Sequence, residues 1–255
     1  MSAGWHELLD EVRRSQDAGR AVEFWWRDDD AGRPDPALER LLALAAASEV
    51  PLALAVIPSL AEADAFMRLG AGVSILQHGS DHRNRAAPGQ KKCEFVDSEA
   101  PAAAIERLAN ARQRLAAVAG RRLLPVLAPP WNRIADAHLA PLASAGFRGL
   151  SRYGPRRAAV AAPGLLQVNT HVDLIAWRAG RGFAGEQAVL AAATGHLAAK
   201  REGRADAGEP TGWLSHHAVH DEATWRFLER LFETLRAEAS VRWLGAEELF
   251  HIARS

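Results

Sequence analysis

Cysteine is almost missing from this sequence. Cys93 is the only one, so no internal disulfide can form. A surplus of one charge is missing too. Lys plus Arg and Asp plus Glu are equal at 31 each, which excludes the broad basic balance that nucleic acid or an anionic membrane favours. No run of about 18 uncharged apolar residues occurs, so no helix is expected to span a bilayer. The start, residues 1–16, lacks the apolar run behind a basic end that marks a secretory signal. No Gly-x-Ser-x-Gly elbow, P-loop or dinucleotide fingerprint is found. Together these absences favour a soluble, cytoplasmic protein with neither nucleic acid nor a membrane span among its partners.

What is present is a chain of 255 residues, 48% hydrophobic, long enough for one sizeable core. No linker or internal repeat divides it, so one domain over residues 1–255 is expected. Apolar periodicity, caps and breakers predict helices over 5–16, 36–48, 61–69, 101–119, 135–145, 187–200, 222–237 and 246–253. Asp35 is the expected N-cap of the second, with Pro36 in its first position. Short apolar runs predict strands over 22–26, 52–57, 73–76, 124–127, 147–150, 166–169, 212–215 and 241–244. A polar loop is expected over 78–98. Strand and helix alternate about seven times, which argues for parallel strands with helical crossovers in a closed or nearly closed barrel. A doubly wound open sheet is the alternative.

In such folds the working residues gather after the C-terminal ends of the strands. Here those positions carry "RDDD" (27–30), "QHGSDHRNR" (77–85), "APPWNR" (128–133), "NTHVD" (169–173) and "SHHAVHD" (215–221). The three adjacent carboxylates Asp28, Asp29 and Asp30 repel one another unless a cation lies among them. His78 and His82, four residues apart, would share a face on one helical turn. Two imidazoles and a carboxylate make an open metal site with room for water and substrate. The same set occurs in non-haem iron oxygenases, but the strand–helix alternation argues against that reading.

The order of these motifs resembles the polysaccharide deacetylase superfamily, the family-four carbohydrate esterases and nodulation-type deacetylases. The resemblance runs from Trp26 to about Asp221. It implies an α/β fold, a distorted seven-stranded (β/α) barrel. It implies Asp29 as general base and Asp30, His78 and His82 as metal ligands, although a shift by one residue would pair Asp28 with Asp29. Trp131 would offer its backbone N–H to the oxyanion, and His216 of "LSH" (214–216) would be the general acid, with His217 its adjacent rival. Trp26, Pro130, Asn132 and His217 would contact substrate. The Arg expected before the Pro-aromatic turn is Ala128 here, and Arg27 or Arg133 is left to take its place. The Asp and Trp of a fourth motif are only loosely matched by Asp173 and Trp177.

The activity implied is metal-dependent hydrolysis of the acetyl group of an N-acetylated sugar, a carbohydrate deacetylase acting on C–N bonds. The cofactor expected is Zn2+ or another divalent transition metal, and the substrate a small or carrier-linked saccharide. The alternatives are a metal-dependent amidohydrolase of small non-sugar amides and a non-catalytic sugar-binding relative. Lys91, Lys92 and Glu94 are candidates to reach the pocket from the long loop, and Asp81 and Asn84 to orient the histidines.

Overall fold

The computed structural model describes residues 2–67 and 69–252. Its helices form where the sequence supplies caps and an apolar stripe. In α1 (Ala3–Asp17), Trp5, Leu8, Leu9 and Val12 are buried at helical spacing. In α2 (Pro36–Ser48) the Asp35 carboxylate accepts from Leu38 N at 2.9 Å and Pro36 stands in the first turn, which satisfies an otherwise free donor. In α6 (Glu222–Arg236) Asp221 caps in the same way, and Trp225, Phe227, Leu228, Leu231, Phe232 and Leu235 face the core. The other helices are α3 (Pro101–Ala119), α4 (Leu139–Ser144), α5 (Glu186–Arg201) and α7 (Ala246–Leu249).

The strands are β1 (Val22–Ala31), β2 (Leu52–Val56), β3 (Val73–His78), β4 (Leu123–Ala128), β5 (Gly149–Leu150), β6 (Val160–Ala162), β7 (Leu165–Gln167), β8 (Val172–Asp173), β9 (Thr211–Ser215) and β10 (Val241–Trp243). They form one sheet in the order β6-β7-β5-β4-β3-β2-β1-β9-β8, with β10 also on β1. Every pairing is parallel except β6 with β7. The stretch from β7 to β8 bonds on both sides. Val168 N and Thr170 N donate to Leu150 O and Arg152 O, and His171 N and Leu174 N donate to Gly212 O and Leu214 O. The expected parallel α/β architecture is therefore present, with more strands than the seven anticipated, β1, β3 and β4 longer and β5, β7 and β10 shorter than their apolar runs suggested.

Strand alternation divides the core. Phe24 and Trp26 on β1 pack with α1, α2, α5 and α6 in the larger cluster. Trp25 points the other way, among Ala53, Ala55, Leu76, Val126, Ala128 and Phe250. Three expectations need correction. Strand β1 runs on through the Asp cluster, because Arg27, Asp28 and Asp29 are buried and paired rather than turned out to solvent. Among the described residues of 61–69 there is no α-helix but a 3-10 turn, Ala63–Phe66, with Glu62 N drawn to Gly32 O just past β1; Arg68 lies outside the described residues. The helix expected over 135–145 is a 3-10 turn, Asp136–His138, followed by the short α4. The last residue of the expected closing helix, Ala253, lies outside the described residues.

Candidate active site

The register of β1 against β2 pairs Asp28 with Leu54 and Ala31 with Val56. One extra residue on β1 makes a bulge, which re-aims side chains. Asp30 sits there with φ 71°. Asp29 and Asp30 can therefore both turn toward the residues that follow β3 and β9, although strand neighbours normally face opposite ways.

Asp30 meets the two histidines. Its Oδ1 lies 3.1 Å from His78 Nε2 and 3.2 Å from His82 Nε2. His78 is the last residue of β3, and its Nδ1 lies 2.9 Å from Ala128 O. A carbonyl only accepts, so Nδ1 carries the proton and Nε2 presents its lone pair to Asp30. Two lone pairs facing at that distance call for a cation between them. Asp30 Oδ1 is buried without a hydrogen bond of good geometry. The three ligand atoms lie within 4.8 Å of one another, and the donor set suits zinc. The residues thus fit a divalent ion.

The histidines do not share a helical turn, as their spacing suggested. Gly79 and His82 both have positive φ, 65° and 56°, and the chain folds back as an irregular turn. A side chain at Gly79 would put its Cβ 2.7 Å from the Pro130 ring. Glu94, fully buried, fixes this turn by accepting from Ser80 N at 2.9 Å and from the Ser80 hydroxyl. Glu94 thus supports the turn from below rather than reaching the pocket. Asp81 is held by Arg85 at 2.7 Å and Asn84 accepts from Cys93 N and Ala86 N, so both shape the loop and neither bonds to a histidine ring.

Asp29 is gripped by Arg27, whose Nε lies 2.8 Å from Oδ1 and whose Nη2 lies 3.0 Å from Oδ2. The same guanidinium donates to Asn132 Oδ1 at 2.6 Å and to Ser151 O and Oγ. Arg133 instead extends outward and donates to Lys92 O; of the two candidates, Arg27 is the arginine at Asp29. His216 Nε2, from the turn after β9, lies 4.0 Å from Asp29 Oδ2. Its ring meets Trp177 edge-on at 4.6 Å, and Trp177 Nε1 donates to Asp173 Oδ2 at 2.8 Å. The loosely matched Asp173 and Trp177 are therefore neighbours of His216. Burial raises the Asp173 carboxyl, with His216 acting against that rise. Trp131, at φ 54°, packs its ring on His82 at 4.6 Å.

Three expected substrate contacts lie elsewhere. Trp26 is fully buried, donating to Ser215 Oγ at 2.8 Å and packed on Phe232. Because it alternates with Arg27, it faces the helices. Pro130 is buried beneath Gly79. His217 turns away from His216 to meet Asp28, Nδ1 to Oδ1 at 2.5 Å. Asn132 does reach the Arg27–Asp29 pair.

A second group, His171, His196 and Glu209, is also close enough to bind an ion. Its protons argue otherwise. Gly212 N donates to His171 Nδ1 at 3.0 Å, so Nε2 bears the proton and faces Glu209 Oε2 at 3.2 Å. Glu209 also accepts from the backbone of Arg156 and Asn169. This cluster ties loops together at the start of β9, and no spacing in the sequence announced it.

No family model matches the chain, and no curated protein matches it. Solved structures do. One from Mycobacterium smegmatis, classed with the polysaccharide deacetylases, is 17% identical, with 91% of this chain and 90% of that one covered and a TM-score of 0.64. The chain has the fold of the polysaccharide deacetylases. The peptidoglycan deacetylase PdaC from Bacillus subtilis aligns over 92% of this chain and 93% of its own, at 13% identity and TM-score 0.56. A family 4 acetyl xylan esterase from Clostridium thermocellum, in complex with a cobalt ion, aligns over 90% and 91%, at 15% identity and TM-score 0.55. Among the described residues, no helix is long and apolar enough to cross a membrane.

Proposed function

We propose that this chain is a metal-dependent deacetylase that removes the acetyl group from an N-acetylated saccharide. The observation that carries the reading is the convergence of His78 Nε2 and His82 Nε2 on Asp30 Oδ1, next in the chain to an Arg-held carboxylate that a histidine faces. These three residues would hold the ion, with zinc favoured by two imidazoles and one carboxylate. A divalent ion there supplies Lewis acidity for the acetyl carbonyl and lowers the pKa of water.

The chain's own residues do the rest. Asp29 takes a proton from the attacking water, and Arg27 fixes the direction of its carboxylate. His216, facing Asp29, returns a proton to the leaving nitrogen. Trp177 and Asp173 hold the environment of that imidazole. Trp131 turns its backbone toward the oxyanion while its ring steadies His82. One domain carries all of these groups. A cytoplasmic place belongs to the same reading, and the lone cysteine supports it.

The test combines elemental analysis of the purified protein with acetate release from a panel of N-acetyl sugars and ammonia release from small amides. Bound metal and acetate from sugars are expected. Turnover of simple amides alone would replace the saccharide by a small amide, and binding without any turnover would leave a sugar-binding protein.

A further inference from the structure

Beside the site lies a groove of about 730 Å³ between the loop over 85–98 and the turn over 132–135. It adjoins the site at one lining residue, Asn132, next in the chain to Trp131. Asn132 lines the groove and accepts from Arg27, which holds Asp29. Trp131 packs on His82, and Lys92 Nζ stands 5.9 Å from the Trp131 ring.

The groove's charge is one-sided. Arg85, Lys91, Arg133 and Arg152 line it, against Asp97 alone among carboxylates. Arg85 is matched by Asp81. The other three are not closely matched. Arg133 donates to the peptide carbonyl of Lys92. Arg152 reaches Gln167 at 3.0 Å and lies 4.0 Å from Asp136, which is 90% exposed. Lys91 has no ion pair among the described residues. Over the whole chain the charges balance, so this local excess is a matter of placement. Burial also lowers the Arg152 guanidinium, which an incoming anion would reverse. Arginine forks suit the paired oxygens of phosphate and carboxylate.

We infer that the substrate is an anionic saccharide, whose phosphate or carboxylate group lies in this groove against Arg133, Arg152 and Lys91 while its N-acetyl group lies at Asp29 and His216. The inference rests on the deacetylase reading of the adjacent site.

The experiment compares acetate release from N-acetylglucosamine, its 1-phosphate and 2-acetamido-2-deoxyglucuronic acid, at low and high salt. It is paired with calorimetric titration of inorganic phosphate and pyrophosphate. A few partly screened charge contacts, each worth up to about 1 kcal/mol, predict roughly tenfold higher kcat/KM for a charged sugar than for the neutral one. The gain should shrink as salt rises. Which charged sugar gains more separates phosphate from carboxylate. In the Arg133→Gln, Lys91→Gln double variant, both at exposed positions, the charged-to-neutral ratio should fall toward one, and in Arg152→Gln likewise. Equal kcat/KM for neutral and charged sugars, or a ratio unmoved by these changes, overturns the inference while leaving the deacetylase reading intact. Should no sugar release acetate, the deacetylase reading fails. Phosphate or pyrophosphate binding that is lost in the double variant would then still support an anion groove, and its absence would remove that too.

Discussion

His217 Nδ1 and Asp28 Oδ1 lie 2.5 Å apart in the buried space between the sheet and α2. Asp28 also accepts from Ser215 Oγ at 2.5 Å and from His217 N at 3.0 Å. The first carboxylate of the Asp run thus ties β1 to the turn that carries His216. Asp28→Ala would leave the buried His217 only the more distant, partly exposed Asp35 at 3.7 Å, and should cost about 3 kcal/mol of stability in urea unfolding. A cost below about 1 kcal/mol, the level of an ordinary surface change, would show that the pair is dispensable.

Bound metal should depend on three side chains only. Asp30→Asn, His78→Ala and His82→Ala are each expected to lower the metal retained through gel filtration, while the folded circular-dichroism spectrum persists. Equal metal in wild type and His78→Ala would place the ion elsewhere.

Proton transfer should separate from metal binding. Asp29→Asn and His216→Ala are expected to keep their metal and to lose about 10²- to 10⁴-fold in turnover, the usual range for general acid–base groups. Arg27→Lys keeps the charge but loses the fork on Asp29; up to about 10²-fold is expected from the misplaced carboxylate. Full activity in His216→Ala with loss in His217→Ala would exchange the roles of these neighbours.

Gly79 should tolerate no side chain. Its φ of 65° and the nearby Pro130 ring make Gly79→Ala strained twice over, at about 1–3 kcal/mol. The turn that separates His78 from His82 would shift, so weaker metal binding in a competitive chelator titration should accompany the lower melting temperature. Unchanged affinity would mean that the turn is not what spaces the ligands.

His196 gives a dependence on pH. Burial, with any charge on the stacked His171 and the Lys200 ammonium acting the same way, pushes its pKa from the ordinary 6.5 down to about 2. The folded chain therefore stays unprotonated there while the unfolded chain takes up a proton. The sign follows: this contribution to stability is complete above about pH 6.5 and is lost as pH falls toward 2, by about 1.4 kcal/mol per unit. Urea unfolding of wild type should weaken between about pH 7 and 4.5 by about 2–3 kcal/mol more than that of His196→Gln. Parallel pH profiles would mean that His196 is protonated in the folded protein.

Much of this was legible because polar residues at strand ends are hard to explain as packing. The strand–helix alternation gave the parallel architecture, and the Asp and His clusters lay where such a sheet places its chemistry. What the sequence hid depends on direction rather than identity. Trp26 and Arg27 are neighbours, yet one faces α6 and the other Asp29, and only the register of β1 decides which. The His-x-x-x-His spacing is the same on a helix as on the irregular turn that Gly79 permits. Strands of two or three residues, such as β5 and β8, carry too few side chains to show a period. The Glu209 cluster is assembled from three distant segments, so no local pattern could reveal it.

The bulge on β1 joins two jobs to one piece of rigid geometry. Asp29 and Asp30 are linked through a single planar peptide unit, and Ala31 on one side and Asp28 on the other are pinned in the sheet. The distance between the proposed proton acceptor and the proposed ion site is thereby set by this bulge together with the Arg27 grip on Asp29. Loops over 85–98 and around Trp131 and Trp177 can be rebuilt for a different sugar without detuning that spacing. Substrate can then be changed at loop positions other than Glu94, Trp131 and Trp177, which brace the turn after His78, His82 and His216.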